Sequence, residues 1–217
     1  KSIRKNRLID IAINDLIICN LCEFVAISSD SEIILQAADN LNVRKLKRPG
    51  YLAEDNSSEI YSWKHAIEYF NLSIDDFVLI APTTSPFRSI NTLKEMVSKL
   101  KKSKNLDGIV TIMETSKHPM FNMVRKNQNI VELWQSNKKR LINRQEGKNC
   151  FDVTTVGFCY RVSSLQKMNH IFDGRIGSVE VSNIEGIDID TPLDLEFARY
   201  LANDGSKFLD SLNKTYL

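Results

Sequence analysis

Asp188-Ile189-Asp190-Thr191, near the C-terminal end, carries the clearest chemical signal in the chain. On an extended segment, side chains at i and i+2 leave the same face, so Asp188 and Asp190 present two carboxylates side by side. A hard cation such as Mg2+ suits that pair, because it keeps several waters and takes one or two carboxylates together with phosphate oxygens. A plainer role is also open. The helical pattern Pro192-Leu193-Asp194-Leu195-Glu196-Phe197-Ala198 follows at once, and Asp190 or Thr191 would cap its first turn.

Carboxylates used in this way need a scaffold that delivers them to the end of a strand. Leu8, Ile11, Ala12, Leu16 and Ile17 recur at helical spacing, and Phe24-Val25-Ala26-Ile27 reads as a buried strand ending at Ser28-Ser29-Asp30. Ser31-Glu32 opens a helix through Ala38. A strand at Val43 to Leu46 runs into the Arg48-Pro49-Gly50 loop, and Ser57-Ser58-Glu59 starts a helix toward Tyr69. Asp76-Phe77-Val78-Leu79-Ile80-Ala81 is the most apolar strand, and Pro82-Thr83-Thr84-Ser85-Pro86-Phe87-Arg88 separates it from a helix over Asn91 to Lys101. Gly108 to Met113 is the next strand. The alternation predicts an α/β fold, Rossmann-like, with a mostly parallel sheet and helices on both faces. In such sheets ligands gather at the carboxyl ends of strands. The clusters around Asp30, Arg48 to Ser58, Pro82 to Arg88 and Asp188 to Thr191 all fall there.

Between Thr115 and Arg161 the rhythm changes. Short runs at Phe121 to Arg125 and Ile130 to Trp134 predict a small antiparallel excursion decorated by Lys138-Lys139-Arg140 and Arg144-Gln145-Glu146. Such charges are ordinarily a solvated surface, although lids and dimer arms also arise in this way. Thr154 to Tyr160 reads as a strand again.

The 217 residues fit one domain, 1–217, with 115–161 as an excursion within it. A net charge of +2, from 29 basic and 27 acidic residues, gives no global field for nucleic acid or a membrane surface, so any anion site must be local. The most apolar stretch, Leu8 to Ile27, is broken by Asp10, Asp15 and Glu23. No membrane span or signal peptide is read, and a soluble cytoplasmic protein is expected. Cys19 and Cys22 form a C-x-x-C, but Cys150 and Cys159 do not complete a zinc site, so buried reduced thiols are expected.

Taken in order, the polar clusters resemble the cytidylyltransferases that activate 2-keto sugar acids: acylneuraminate cytidylyltransferase (CMP-sialic acid synthetase) and its legionaminate, pseudaminate and Kdo relatives. Lys1-Ser2-Ile3-Arg4-Lys5-Asn6 resembles the end of that family's glycine-rich phosphate loop. Arg48-Pro49, Leu52-Ala53, Asp55 and Ser57-Ser58 resemble its Arg-Pro, Leu-Ala, Asp, Ser-Ser stretch. Thr84-Ser85-Pro86-Phe87-Arg88, His118-Pro119, Arg144-Gln145 and Asp188-Ile189-Asp190-Thr191 follow in the family's order. The chain departs from the pattern at Ala81-Pro82-Thr83, where the family has Gln, and at Thr154-Thr155-Val156-Gly157-Phe158, where it has Asn-Gly-Ala. With only 8 glycines, none in a rich turn near the start, the resemblance implies a glycine-rich segment ahead of Lys1.

The resemblance implies a sheet of the nucleotide-diphospho-sugar transferase type and transfer of CMP from CTP to a 2-keto sugar acid, with release of pyrophosphate. It assigns Mg2+ to Asp188 and Asp190, and the triphosphate to Lys1, Arg4 and Asn6, with Lys1 and Arg4 counted among the catalytic groups. Arg48, Ser57 and Ser58 would frame the nucleotide, while Thr84, Ser85, Arg88, Arg140, Arg144 and Gln145 would meet the sugar acid. A homodimer is implied, built on the excursion, with Trp134 and Phe121 as apolar anchors or as ordinary core. Two other readings stay open. One is a nucleotide-sugar glycosyltransferase with an Asp-x-Asp metal motif, although those place the motif mid-chain. The other is a nucleotide-binding homologue without turnover.

Overall fold

The computed structural model describes residues 1–39, 41–135 and 150–215, with side chains through residue 203. It opens on a tight antiparallel hairpin of β1 (Ser2–Ile3) and β2 (Asn6–Arg7), whose turn holds Arg4 at φ 52°. Left-handed backbone is uncommon for arginine, which is why sequence spacing did not announce this hairpin. α1 (Leu8–Cys19) buries Ala12, Ile13 and Cys19 and ends at Asn20, left-handed at φ 52° as a helix terminus favours.

β3 (Ala26–Ser29) and β4 (Arg44–Lys47) pair in parallel, with α2 (Glu32–Ala37) as the crossover. A 3-10 turn at Gly50–Leu52 leads to α3 (Glu59–Tyr69), then β5 (Phe77–Ile80), α4 (Ile90–Lys102) and β6 (Gly108–Glu114). β7 (Val124–Asn127) and β8 (Ile130–Leu133) form the expected antiparallel excursion. β9 (Phe151–Arg161), α5 (Val162–Leu165), β10 (Ile176–Glu180) and α6 (Pro192–Thr215) complete the chain.

The central sheet has the order β10-β6-β9-β5. β5, β6 and β10 share one direction, and β9 runs against both neighbours, from the end of the excursion back into the sheet. Neither β9's antiparallel insertion nor β10 was read from the sequence. β10 is five residues long and interrupted by Gly177, too short for a periodic signal.

Strand alternation divides the core between two faces. Ile109, Cys159 and Val179 face Leu93, Met96, Val97 and Leu100 of α4. Their neighbours Val110, Phe158 and Tyr160 face Ile60 and Ile67 of α3 and Val162 and Leu165 of α5. The helices therefore cover both faces. Cys22, half-buried beside Cys19, has its thiol pKa pushed up to about 11 by desolvation, reinforced by Cys19, and all four cysteines are free thiols. Among the described residues no helix is long and apolar enough to cross a membrane.

β9 is bulged midway along its length. Val110 pairs with Phe158 but Thr111 pairs with Thr154, leaving Thr155, Val156 and Gly157 out of the ladder with β6. A bulge orphans backbone groups, and each needs another partner. Gly157 N–H donates to Thr111 Oγ1 at 3.2 Å, and Thr154 Oγ1 donates to the same hydroxyl at 2.8 Å. The Val156 carbonyl accepts from Arg88 Nε.

Candidate active site

The two ends of the chain meet through apolar contact. Ile3 and Ile189, both buried, share a cluster with Leu195 and Ala198, and Leu8, Ile11 and Phe87 pack against it. Arg199 Nε donates to the Ser2 carbonyl at 3.0 Å. The hairpin of Lys1, Arg4, Lys5 and Asn6 is thereby fixed beside the acidic segment, with all four residues exposed. Arg7 is committed elsewhere: its guanidinium holds Asp10 at 2.6 and 2.7 Å and keeps that carboxyl below its ordinary pKa. Lys1, Arg4 and Lys5 form no ion pair with the described residues.

Asp188 is half-buried, and its Oδ1 is enclosed with no hydrogen-bond partner among the described residues. Asp190 is exposed, and Ile189 between them is buried, its N–H donating to the Thr84 carbonyl at 3.0 Å. The capping duty falls to Thr191, one of the two residues expected for it, together with Asp194. Thr191 Oγ1 accepts from Asp194 N–H at 3.3 Å, while Asp194 Oδ2 accepts from Thr191 N–H and Thr191 Oγ1, both at 2.7 Å, and from Asp190 N–H at 3.2 Å. This reciprocal cap leaves the carboxylates of Asp188 and Asp190 uncommitted to the helix.

Those bonds, led by the Thr191 hydroxyl and followed by the Thr191 N–H, hold the Asp194 carboxyl below its ordinary pKa. A depressed folded value means the cap stabilises fully above the ordinary carboxylate range and is lost as pH falls through the depressed value. Far-ultraviolet circular dichroism of the wild type should therefore show helix lost on acidification. Asp194→Ala should start with less helix at neutral pH and lose this part of the acid transition; an identical acid profile in the variant would contradict the cap.

The start of α3 lies beside the acids. Glu59 opens the helix, and desolvation followed by the charge of Asp188 holds its carboxyl above the usual range. Ser57 and Ser58 are half-buried just ahead of it, and Ser58, in the N-cap position, makes no side-chain cap bond. The first amides of α3 and two hydroxyls are therefore placed for an anion. Arg48 follows β4. It reaches Ser62 Oγ at 3.3 Å and Asp30 at 3.5 Å, and its Nε is enclosed without a partner among the described residues.

The Pro82 to Arg88 turn behaves differently from expectation at two positions. Ser85 is 1% exposed, with its Oγ 2.7 Å from Thr155 Oγ1, and Arg88 is 6% exposed, with its side chain fully enclosed. Arg88 donates to Val156 and Pro82 carbonyls, the latter at 2.5 Å, and pairs with Asp15 of α1 at 3.3 Å. Burial lowers the Arg88 pKa and raises that of Asp15, each opposed by the partner's charge. Both Ser85 and Arg88 thus face protein, leaving half-buried Thr84 as the turn's residue closest to a substrate-facing role. Arg140, Arg144 and Gln145 lie outside the described residues. Sequence reasoning passed over Asp15, Glu59 and Thr155. A charge inside the apolar spacing of α1 was the available sign for Asp15.

Among the described residues no cluster of three or more His, Cys, Asp or Glu could hold a metal ion. Mg2+ does not require one, since waters and phosphate oxygens fill most of its octahedron. The enclosed, unpartnered Asp188 oxygen and the exposed Asp190 carboxylate fit such a partial ligand set.

A covered α/β sheet carries a basic hairpin and the start of α3 near the Asp188 to Asp190 segment, an arrangement suited to phosphate groups. The cytidylyltransferase family model matches residues 1–214, and the chain belongs to that family. Its fold resembles a CMP:2-keto-3-deoxy-manno-octonic acid synthetase solved with CTP, at TM-score 0.69 and 13% identity over 94% of this chain and 91% of that one. It also resembles the 2-C-methyl-D-erythritol 4-phosphate cytidylyltransferase of Francisella tularensis, at TM-score 0.64 and 17% identity over 90% and 88%. A 4-diphosphocytidyl-2C-methyl-D-erythritol synthase from Anaerococcus prevotii matches at TM-score 0.64 and 12% identity over 91% and 86%.

Proposed function

We propose that this protein transfers CMP from CTP to the anomeric hydroxyl of a 2-keto sugar acid, a sialic acid or related nonulosonate, and releases pyrophosphate. The observation that carries the reading is the apolar cluster shared by Ile3 and Ile189, which supports a basic hairpin close to the acidic pair. Lys1 and Arg4 supply unpaired cations and Asn6 an amide donor for the triphosphate. Arg48 and the Ser57-Ser58 start of α3 frame the nucleotide, the helix terminus adding its partial positive charge.

Asp188 and Asp190 would hold Mg2+ against phosphate oxygens. When bound, Mg2+ supplies charge neutralisation at the phosphates and acidifies a coordinated hydroxyl. The protein's own contribution is alignment: hairpin and acids sit on one apolar cluster, so phosphate and acceptor are held in line without reorganisation during transfer. Thr84 borders the acceptor pocket, with Arg140, Arg144 and Gln145 as further candidates for gripping the sugar carboxylate.

A homodimer completes the reading. Val124 and Val131 lie on one side of the excursion's hairpin and Ile130 on the other, and with Trp134 just beyond β8 they are 52–68% exposed, apolar groups that a second subunit would cover. A cytoplasmic location is the expected setting for CTP.

The test is pyrophosphate release with CTP, Mg2+ and a panel of neuraminate, legionaminate, pseudaminate and Kdo. Release with one nonulosonate is expected, with CTP preferred over UTP by at least about tenfold and full loss on EDTA treatment. Equal rates with UTP, or indifference to EDTA, would contradict the proposal.

A further inference from the structure

We propose that the buried Asp15–Arg88 pair is a positioning device that fixes the acidic pair relative to the basic hairpin; the inference rests on the reading of Asp188 and Asp190 as metal ligands. Arg88 is joined to three parts of the site at once. It pairs with Asp15 of α1, the helix that continues directly from the hairpin. It donates to the Val156 carbonyl in the β9 bulge, which has no donor from β6 there. It also donates to the Pro82 carbonyl, closing its own turn at 2.5 Å.

The turn is in contact with the acids. Thr84, two residues after Pro82, accepts the N–H of Ile189 at 3.0 Å, and Ile189 separates Asp188 from Asp190. On the other side Ser85 and Thr155 hydroxyls lie 2.7 Å apart, tying the turn a second time to the bulge. The path from hairpin to acids therefore runs along α1 to Asp15, across to Arg88, through the turn and into Ile189. Between these stretches of continuous chain the links are an ion pair and hydrogen bonds. A planar guanidinium can serve all three partners, whereas an ammonium has no fixed fork with which to do so. A packed pair of this kind has one arrangement, so the acids gain a fixed address with respect to the phosphate-binding cations.

Positioning and plain stability have different signatures. A residue that merely holds the fold together lowers the fraction folded and leaves the affinity of folded molecules unchanged. A positioning residue changes metal affinity in folded protein, as the outer partners of metal ligands do, by about tenfold or more. Asp15 and Arg88 touch neither metal nor substrate, so their effect must pass through the Ile189 amide.

The experiment compares wild type with Arg88→Lys, Asp15→Asn and Thr155→Val, each confirmed folded by thermal melting. Mn2+ binding is measured by electron paramagnetic resonance in the presence of CTP, and exchange of the Ile189 amide by hydrogen–deuterium exchange without metal. Thr155→Val removes one hydroxyl contact while leaving the ion pair, and it keeps the test open if the charged variants unfold. Weaker Mn2+ binding by about tenfold in Arg88→Lys, a smaller weakening in Thr155→Val, and faster Ile189 exchange in both are expected. Unchanged Mn2+ affinity and unchanged Ile189 exchange in folded variants would overturn the inference. Neither readout needs turnover: a wild type without pyrophosphate release whose variants still lose Mn2+ affinity would defeat the proposed reaction and leave the positioning role standing.

Discussion

Asp190→Asn folds as the wild type does and loses at least about 10²-fold in kcat for pyrophosphate release. The carboxylate of Asp190 is exposed and forms no side-chain hydrogen bond among the described residues, while the cap of α6 belongs to Thr191 and Asp194. Removing its charge therefore leaves the helix start intact, and an exposed substitution of this kind shifts stability by no more than about 0.5 kcal/mol. What it removes is half of the anionic charge available to a divalent ion. Asp188→Asn should behave similarly, with one difference. The Asp188 Oδ1 is enclosed with no hydrogen-bond partner among the described residues, so an amide in its place enters a packed site and should cost more thermal stability than Asp190→Asn. Steady-state kinetics beside melting curves checks both variants. Wild-type kcat in Asp190→Asn would show that the pair has no part in the reaction.

Gly108→Val should destabilise the fold at or beyond the upper end of the usual overpacking range of about 1–3 kcal/mol. A Cβ on Gly108 would lie 2.5 Å from Cε1 of Tyr160 and closer still to its Cδ1, with the Cys159 carbonyl at 3.1 Å. Tyr160 is wholly buried and cannot swing aside freely, because its hydroxyl donates to the Ile171 carbonyl at 2.8 Å and Trp63 packs on its ring. The two strands pair directly at this point, Gly108 opposite Tyr160, so the backbone cannot give way without breaking the ladder. Chemical denaturation monitored by tryptophan fluorescence measures the loss. A midpoint equal to wild type would mean that the strands are not packed as described.

The sequence made some parts of this molecule legible for clear physical reasons. Apolar runs such as Phe77 to Ile80 and the helical spacing around Leu93, Met96 and Leu100 declare themselves because burial on one face is their whole purpose. The Asp-x-Asp spacing stands out in the sequence as well, although residues 187–190 lie outside any strand and one carboxylate is half-buried while the other is exposed. Other parts depend on information that a local pattern lacks. The family resemblance made Arg88 a substrate contact together with Thr84 and Ser85, in a polar cluster at a strand end. Only the opposing bulge at Thr155 to Gly157 and the inward Asp15 turn its guanidinium into the protein. β9 reads as a strand, but its antiparallel direction is set by the path through the excursion. The Ile3–Ile189 contact joins positions at opposite ends of the chain and has no signature in either segment.

The central claim is that Asp188 and Asp190 grip a divalent ion beside a triphosphate delivered by the N-terminal hairpin. The most direct measurement is a Mn2+ titration by electron paramagnetic resonance, with CTP present, of wild type and of the Asp188→Asn/Asp190→Asn double variant. Wild type should hold Mn2+ with CTP at least about tenfold more tightly than CTP alone does, and the double variant should show no such gain. Equal Mn2+ affinity in the two proteins would place the metal elsewhere and contradict the claim.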